Sequence, residues 1–139
     1  MPLWYRVDPF TRLLMITAEG ALTQEERLAG MQAWMSDPDF EPGLNTLFDV
    51  TASTSTPTMA ELRQIVDAVN RRAAAIGRIR LAVVTARPIT FGVARQFGAL
   101  AEPGPIQVEV FTSREAAIAW LRDEGPPKPK RRRVDETSA

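Results

Sequence analysis

The sequence predicts an α/β domain: a mixed five-stranded sheet that opens with an antiparallel hairpin, continues in mostly parallel strands and carries four helices. Three observations predict it. Short β-rich runs alternate with stretches of helical period in the order β-β-α-β-α-β-α-β-α. The helix-start signature T-x-x-E recurs three times, at Thr23-Gln24-Glu25-Glu26, Thr58-Met59-Ala60-Glu61 and Thr112-Ser113-Arg114-Glu115. Right-handed crossovers between the later strands make them parallel, with helices on both sheet faces. The chain's 139 residues, 45% hydrophobic and 24% charged, are enough for one core without disulfide or metal staples.

Each element has a local reason. Leu3 to Val7 and Leu13 to Ala18 are β-rich runs joined by the turn-forming Asp8-Pro9-Phe10-Thr11, which predicts the hairpin. Leu28, Met31 and Met35 share one face of a helix over Gln24 to Ser36, and Thr46 to Val50 is a strand. From Ala60 to Ile76 the apolar residues Leu62, Ile65, Val66, Val69, Ala73 and Ile76 recur at three- and four-residue steps, and Gly77 stops the helix. Leu81-Ala82-Val83-Val84, within Arg80 to Thr85, reads as a strand covered on both faces. Pro88 opens the next helix, to about Leu100. Ile106, Val108 and Val110 alternate with Gln107 and Glu109, an outer strand, and a helix over Arg114 to Arg122 closes the domain.

Composition excludes much chemistry. Without cysteine or histidine there is no disulfide, thiolate catalysis, imidazole acid–base chemistry or Cys/His metal site, and no cofactor is called for. Both lysines, Lys128 and Lys130, fall in the last dozen residues, which argues against a buried Schiff-base lysine. No phosphate-binding glycine loop or nucleophile elbow occurs, so nucleotide and esterase readings have no support. No apolar run reaches membrane-spanning length, and Arg6, Asp8 and Arg12 stand where a signal peptide would be apolar, so a cytoplasmic protein without a transmembrane segment is expected.

Seventeen basic and seventeen acidic residues cancel overall, but unevenly. Residues 1 to 121 carry eleven arginines against thirteen acids, and residues 122 to 139 carry six cations against four acids. After Gly125-Pro126-Pro127, the run from Lys128 to Arg133 places five cations in six residues. The expected division is a domain over 1–122 and a disordered Pro/basic tail over 123–139. With no interleaved aromatic residue, and with Asp135 and Glu136 beside it, the tail reads as solubilising, and no specific nucleic-acid partner is expected.

The N-terminal hairpin, the loop from Ser36 to Gly43, the strand Thr46-Leu47-Phe48-Asp49-Val50, the strand Ala82-Val83-Val84 with Phe91-Gly92-Val93-Ala94-Arg95 after it, and the ending Val110-Phe111 with Ala116 to Leu121 carry a likeness that spans residues 1 to 122. In these the chain resembles the STAS superfamily, the domain of sulfate transporters and anti-sigma-factor antagonists. It looks most like the small stand-alone bacterial STAS-like proteins grouped with CRAL-TRIO-type lipid-binding domains. The resemblance implies a non-enzymatic regulatory or protein-interaction domain whose partner is a protein, such as a kinase or an anti-sigma-like regulator. Anti-sigma-factor antagonists carry Asp-Ser-Ser-Gly after their central strand, with a serine phosphorylated by the partner kinase. Here that region reads Asp49-Val50-Thr51-Ala52-Ser53-Thr54-Ser55-Thr56-Pro57-Thr58, without the motif, and Ser55 and Thr56 are the nearest positions.

The strand ends and following helix starts of a parallel sheet share one edge, where ligands commonly bind. That edge is expected to gather Asp49, Thr51, Ser55, Thr56, Thr58, Arg87 and Ser113, together with Thr85 and Thr112. Hydroxyls, helix N-termini and one cation suit a small anion, or a lipid-like molecule with an anionic end. The plainer reading is that the threonines cap helices and Asp49 organises its loop as an Asx turn. Asp49 as the acid of a hydrolase is a third reading, weakened by the lack of a second carboxylate: Glu61 is assigned to a cap and Asp67 lies two turns further on. Trp34 and Trp120 sit at helical spacings that suit a core, whereas Trp4 and Phe10 flank the hairpin and, if exposed, suit a partner surface. A homodimer is compatible with the pattern.

Overall fold

The fold is described from a computed structural model, which defines residues 2–102 and 104–123; the expected tail lies outside them apart from Asp123. The elements are β1 (Leu3–Asp8), β2 (Leu13–Gly20), α1 (Gln24–Met35), β3 (Asn45–Ser53), α2 (Met59–Arg71), α3 (Ala73–Ile76), β4 (Ile79–Val84), α4 (Pro88–Ala101), β5 (Ile106–Phe111) and α5 (Arg114–Leu121). They build one five-stranded sheet in the order β1-β2-β3-β4-β5. β1 and β2 are antiparallel, with Leu3 opposite Ala18 and Asp8 opposite Leu13; every later pairing is parallel. This is the predicted mixed α/β fold, and β5 is an edge strand as its alternation implied.

The sequential strand order decides where the helices go. Each right-handed crossover from β2 to β5 steps the same way along the sheet, so α1, α2 and α4 lie on one face. Leu14, Ile16, Val50 and Val83 pack there with Ala94 of α4, and Met31 of α1 meets Ala68 and Val69 of α2 beside Ile106. The opposite face is covered by α5, whose Ala117 and Leu121 bury Leu13, Leu47, Ala82 and Val84. Strand side chains alternate between these faces, so the even-numbered residues from Thr46 to Val50 point toward the three helices and Leu47 and Asp49 toward α5.

Three details differ from the sequence reading. The helix expected over Ala60 to Ile76 breaks at Arg72, giving a fifth helix among the described residues. At the break the Arg72 Nη1 donates to the Ala68 carbonyl at 3.3 Å, the acceptor its own N–H would use in a continuous helix, and its N–H bonds Val69 instead. Strand β3 runs on to Ser53, three residues past its expected end at Val50. The capping boxes at Thr23 and Thr58 form with both reciprocal bonds, but the third helix start is displaced by one residue. Ser113, not Thr112, caps α5 by accepting the Ala116 N–H at 3.2 Å. Strand pairing is the reason: Thr85 N–H donates to the Phe111 carbonyl at 2.9 Å, holding the chain extended past the point where Thr112 would turn it.

Candidate functional site

The parallel strands end along one edge, and the seven residues expected there are divided by it into two groups. On the α5 side, Asp49 accepts the Thr51 N–H at 3.0 Å and the Thr51 hydroxyl at 2.6 Å through Oδ1, while Oδ2 accepts from Arg114 Nη1 at 2.9 Å. Burial pushes the Asp49 carboxyl up, but the Thr51 donors and the Arg114 charge outweigh it, so the group sits below the ordinary carboxylate value. Ser113 is exposed at the start of α5; Thr58, exposed at the start of α2 on the other face, is taken up in the capping box that Glu61 completes.

The remaining residues turn to the other face because β3 gains one residue. Thr17 pairs with Asp49 but Glu19 pairs with Ala52, so β3 takes three steps for two on β2 and the following side chains change sides. Ser53 is thereby buried, its hydroxyl directed to the Gly20 carbonyl at 3.2 Å and the Ser55 carbonyl at 3.3 Å. Ser55 Oγ accepts the Leu22 N–H at 2.8 Å. Arg87 Nη1 donates to the Ser53 carbonyl at 2.8 Å, tying the start of α4 to the end of β3.

Below this edge, between the sheet and α1, α2 and α4, lies a cavity of about 210 Å³. Its walls are apolar: Ile16, Phe48 and Val83 from the sheet, Met31 and Trp34 from α1, Phe97 from α4. Ser53, Ser55 and Thr56 reach it from the edge, so two of the seven expected residues, Ser55 and Thr56, line it.

Two further residues of this cavity escaped the sequence reading. Arg27 enters from α1 with its side chain 13% exposed, and Thr90 from the first turn of α4. The signal was present: Arg27, Met31, Trp34 and Met35 follow helical spacing, so the arginine continues an apolar stripe, and Thr90 heads the stripe Val93, Ala94 and Phe97 in the same way. A wider polar cleft at the opposite sheet edge is lined by Arg12, Arg78, Arg80 and Arg122, but Arg12 is paired with Glu41 and Arg80 is bonded to the Trp120 carbonyl. Among the described residues no group of His, Cys, Asp and Glu could hold a metal ion, and no helix is long and apolar enough to cross a membrane.

The strand order, the helix placement and the hairpin define a mixed α/β domain with a SpoIIAA-like fold. Among solved structures the chain is similar to the crystal structure of an uncharacterised DUF3478-family protein with a SpoIIAA-like fold from Shewanella loihica PV-4, at 15% identity, over 86% of this chain and 91% of that one, with a TM-score of 0.59. No family model matches the sequence, and no curated protein matches it.

Proposed function

We propose that this protein is a non-catalytic binding domain that holds a small lipid-like molecule in the cavity between its sheet and α1, α2 and α4. One observation carries the reading: about 210 Å³ of the core is left unfilled by side chains, in a class of structure whose interiors are otherwise close-packed. A dry cavity of about 150 Å³ is enough to bind benzene. The absence of histidine and cysteine, and the commitment of Asp49 to Thr51 and Arg114, support a role in binding rather than turnover.

Titration of the protein with 1-decanol, followed by tryptophan fluorescence and thermal unfolding, tests the reading, because Trp34 forms part of the wall. The expected result is saturable binding and a rise in melting temperature that grows with occupancy. Ala94→Leu, which pushes three carbons into the cavity, is expected to abolish both effects while leaving a cooperative unfolding transition. Undiminished binding to that variant would move the ligand elsewhere.

A second reading is a protein partner docked on the edge formed by the segment from Thr51 to Thr58, as the STAS resemblance implies. What favours it is exposed apolar surface beside that segment: Met59 in the first turn of α2 is 39% exposed and Ile89 in the first turn of α4 is 59% exposed. Paired Met59→Ser and Ile89→Ser substitutions are expected to reduce partner capture without changing decanol binding. An unchanged set of captured proteins would dismiss this edge as the docking surface.

A further inference from the structure

The cavity is charged at one end only. Near the strand starts it is closed by Leu44, Ile76, Ile79 and Ile106, with Thr46, whose hydroxyl donates to the Leu44 carbonyl at 3.2 Å; near the strand ends it meets Arg27, Ser55 and Thr90. A guanidinium has five N–H donors. Arg27 uses Nη1 on Gln24 Oε1 at 3.2 Å and Nη2 on Ser55 Oγ at a long 3.5 Å. The Glu61 carboxylate stands 3.6 Å from Nη1, but that oxygen already accepts the Thr58 N–H at 2.9 Å. Burial draws the Arg27 pKa down while Glu61 and Glu26 oppose it. A cation so withdrawn from water and so loosely paired has donor capacity left for an anion.

A second, independent observation points the same way. Thr90 is 9% exposed, and its hydroxyl oxygen is buried without a hydrogen-bond partner. It stands three residues after Arg87, whose guanidinium holds Ser53, while Arg27 reaches Ser55 from the other side. Arg27 and the first turn of α4 thus flank one short segment of chain. An unmet hydroxyl in an apolar wall costs free energy unless a bound molecule supplies its partner.

Building on the cavity reading above, we propose that the ligand is a medium-chain carboxylic acid, bound as its anion, with the carboxylate between Arg27 and Thr90 and the hydrocarbon tail lying along the sheet toward Ile79 and Ile106. The four residue steps from Thr46 to Val50 on the cavity side of β3 cover about 13 Å, the extended length of roughly ten carbons. Glu61 and Glu26 disfavour a high head-group charge: both carboxylates repel any anion drawn to Arg27, and a dianionic phosphate more strongly than a singly charged carboxylate.

The test compares decanoate, 1-decanol, decyl phosphate and acetate on the full chain by fluorescence titration. Decanoate is expected to bind at least tenfold more tightly than decanol and no more weakly than decyl phosphate, and acetate at matched concentration is expected not to bind. Arg27→Met is expected to remove the preference for decanoate, the variant binding decanoate and decanol within about twofold of each other. Thr90→Val, which keeps shape and removes the hydroxyl, is expected to weaken decanoate several-fold and serves if the arginine variant fails to fold. Equal binding of decanoate and decanol overturns the head-group assignment and leaves the cavity reading standing. Tighter binding of decyl phosphate, or acetate binding as well as decanoate, overturns the ligand class. If no tailed probe binds, the cavity reading falls with it.

Discussion

Arg114 at the start of α5 places Nη1 2.9 Å from Oδ2 of Asp49 in the middle of β3, sixty-five residues earlier in the chain. The contact joins the helix on one face of the sheet to a central strand, and the second carboxylate oxygen is already saturated by Thr51.

A pH dependence follows from it. Because the Asp49 carboxyl is held below its unfolded value, its contribution to stability is present above the unfolded pKa, about 3.9 for an aspartate, and is lost as pH falls through the folded value. Arg114 is 46% exposed on its side chain, so solvent screening limits the ion pair to about 1 kcal/mol or less. Asp49→Asn is therefore expected to cost about 1 kcal/mol at pH 7 in urea unfolding, with the gap to the parent protein narrowing below about pH 4. A gap that is constant from pH 7 to pH 3 would remove the ionised carboxylate from the account.

Two glycines with positive φ separate backbone strain from crowding. Gly20, at φ 67°, has nothing within 4 Å of an added Cβ, so Gly20→Ala is expected to cost only the left-handed penalty of about 1 kcal/mol. Gly77, at φ 73° and ψ −171°, occupies a region essentially reserved for glycine, and its added Cβ would meet the Gly43 nitrogen at 2.8 Å. That nitrogen donates to the Ile76 carbonyl at 2.8 Å, so it cannot move without losing a hydrogen bond. Gly77→Ala is expected to cost at least about 1 kcal/mol more than Gly20→Ala; equal costs in chemical denaturation would contradict the crowding.

Arg80 terminates α5 from the neighbouring strand. Its Nη1 donates to the Trp120 carbonyl at 2.7 Å, its guanidinium lies 5.2 Å from the Trp120 ring centroid, and Asn45 on β3 donates to the Leu121 carbonyl at 3.0 Å. Arg80→Met removes the short charged hydrogen bond to the Trp120 carbonyl, which keeps the Asp123 N–H at 3.3 Å, together with the contact on the Trp120 ring, and is expected to destabilise the fold by about 2 kcal/mol. Arg80→Lys is expected to recover less than half of that, since an ammonium lacks the planar fork and stacks less well on the ring. Full recovery by lysine would mean that charge alone matters.

How much of this was legible in advance depends on how local its cause is. The capping boxes at Thr23 and Thr58 need only residues three apart, and both form as their spacing implied. The displaced cap at Ser113 and the break at Arg72 depend on partners elsewhere: the pairing of Phe111 beside Val84, and the Arg72 bond to Gln32 forty residues away. The expected gathering of side chains at the strand ends rested on strand alternation, and one extra residue in β3 sends Ser53 to the face opposite Asp49. Arg87 was read as a cation for an anion; what the sequence did not show is that its Nη1 holds the Ser53 carbonyl. A cavity is harder still to read, because it is a shortfall of volume among Ile16, Phe48, Val83 and Phe97, set by how four elements meet and not by any one of them.

Thr90 gives that cavity a thermodynamic signature in the ligand-free protein. Threonine and valine have nearly the same shape, so Thr90→Val removes the buried, unpartnered hydroxyl with little change in packing. Exchanging an unmet polar group for an apolar one relieves a desolvation cost of about 1 kcal/mol, which for a chain of this size corresponds to a rise in melting temperature of roughly 3 to 5 °C. The same substitution is expected to weaken binding of decanoate, so stability and affinity should move in opposite directions at one position. Differential scanning calorimetry with and without decanoate measures both: a more stable apo variant that gains less from ligand is the expected pattern. A Thr90→Val protein less stable than its parent would mean that the hydroxyl is satisfied in the folded chain, and that the wall of the cavity is complete without a ligand.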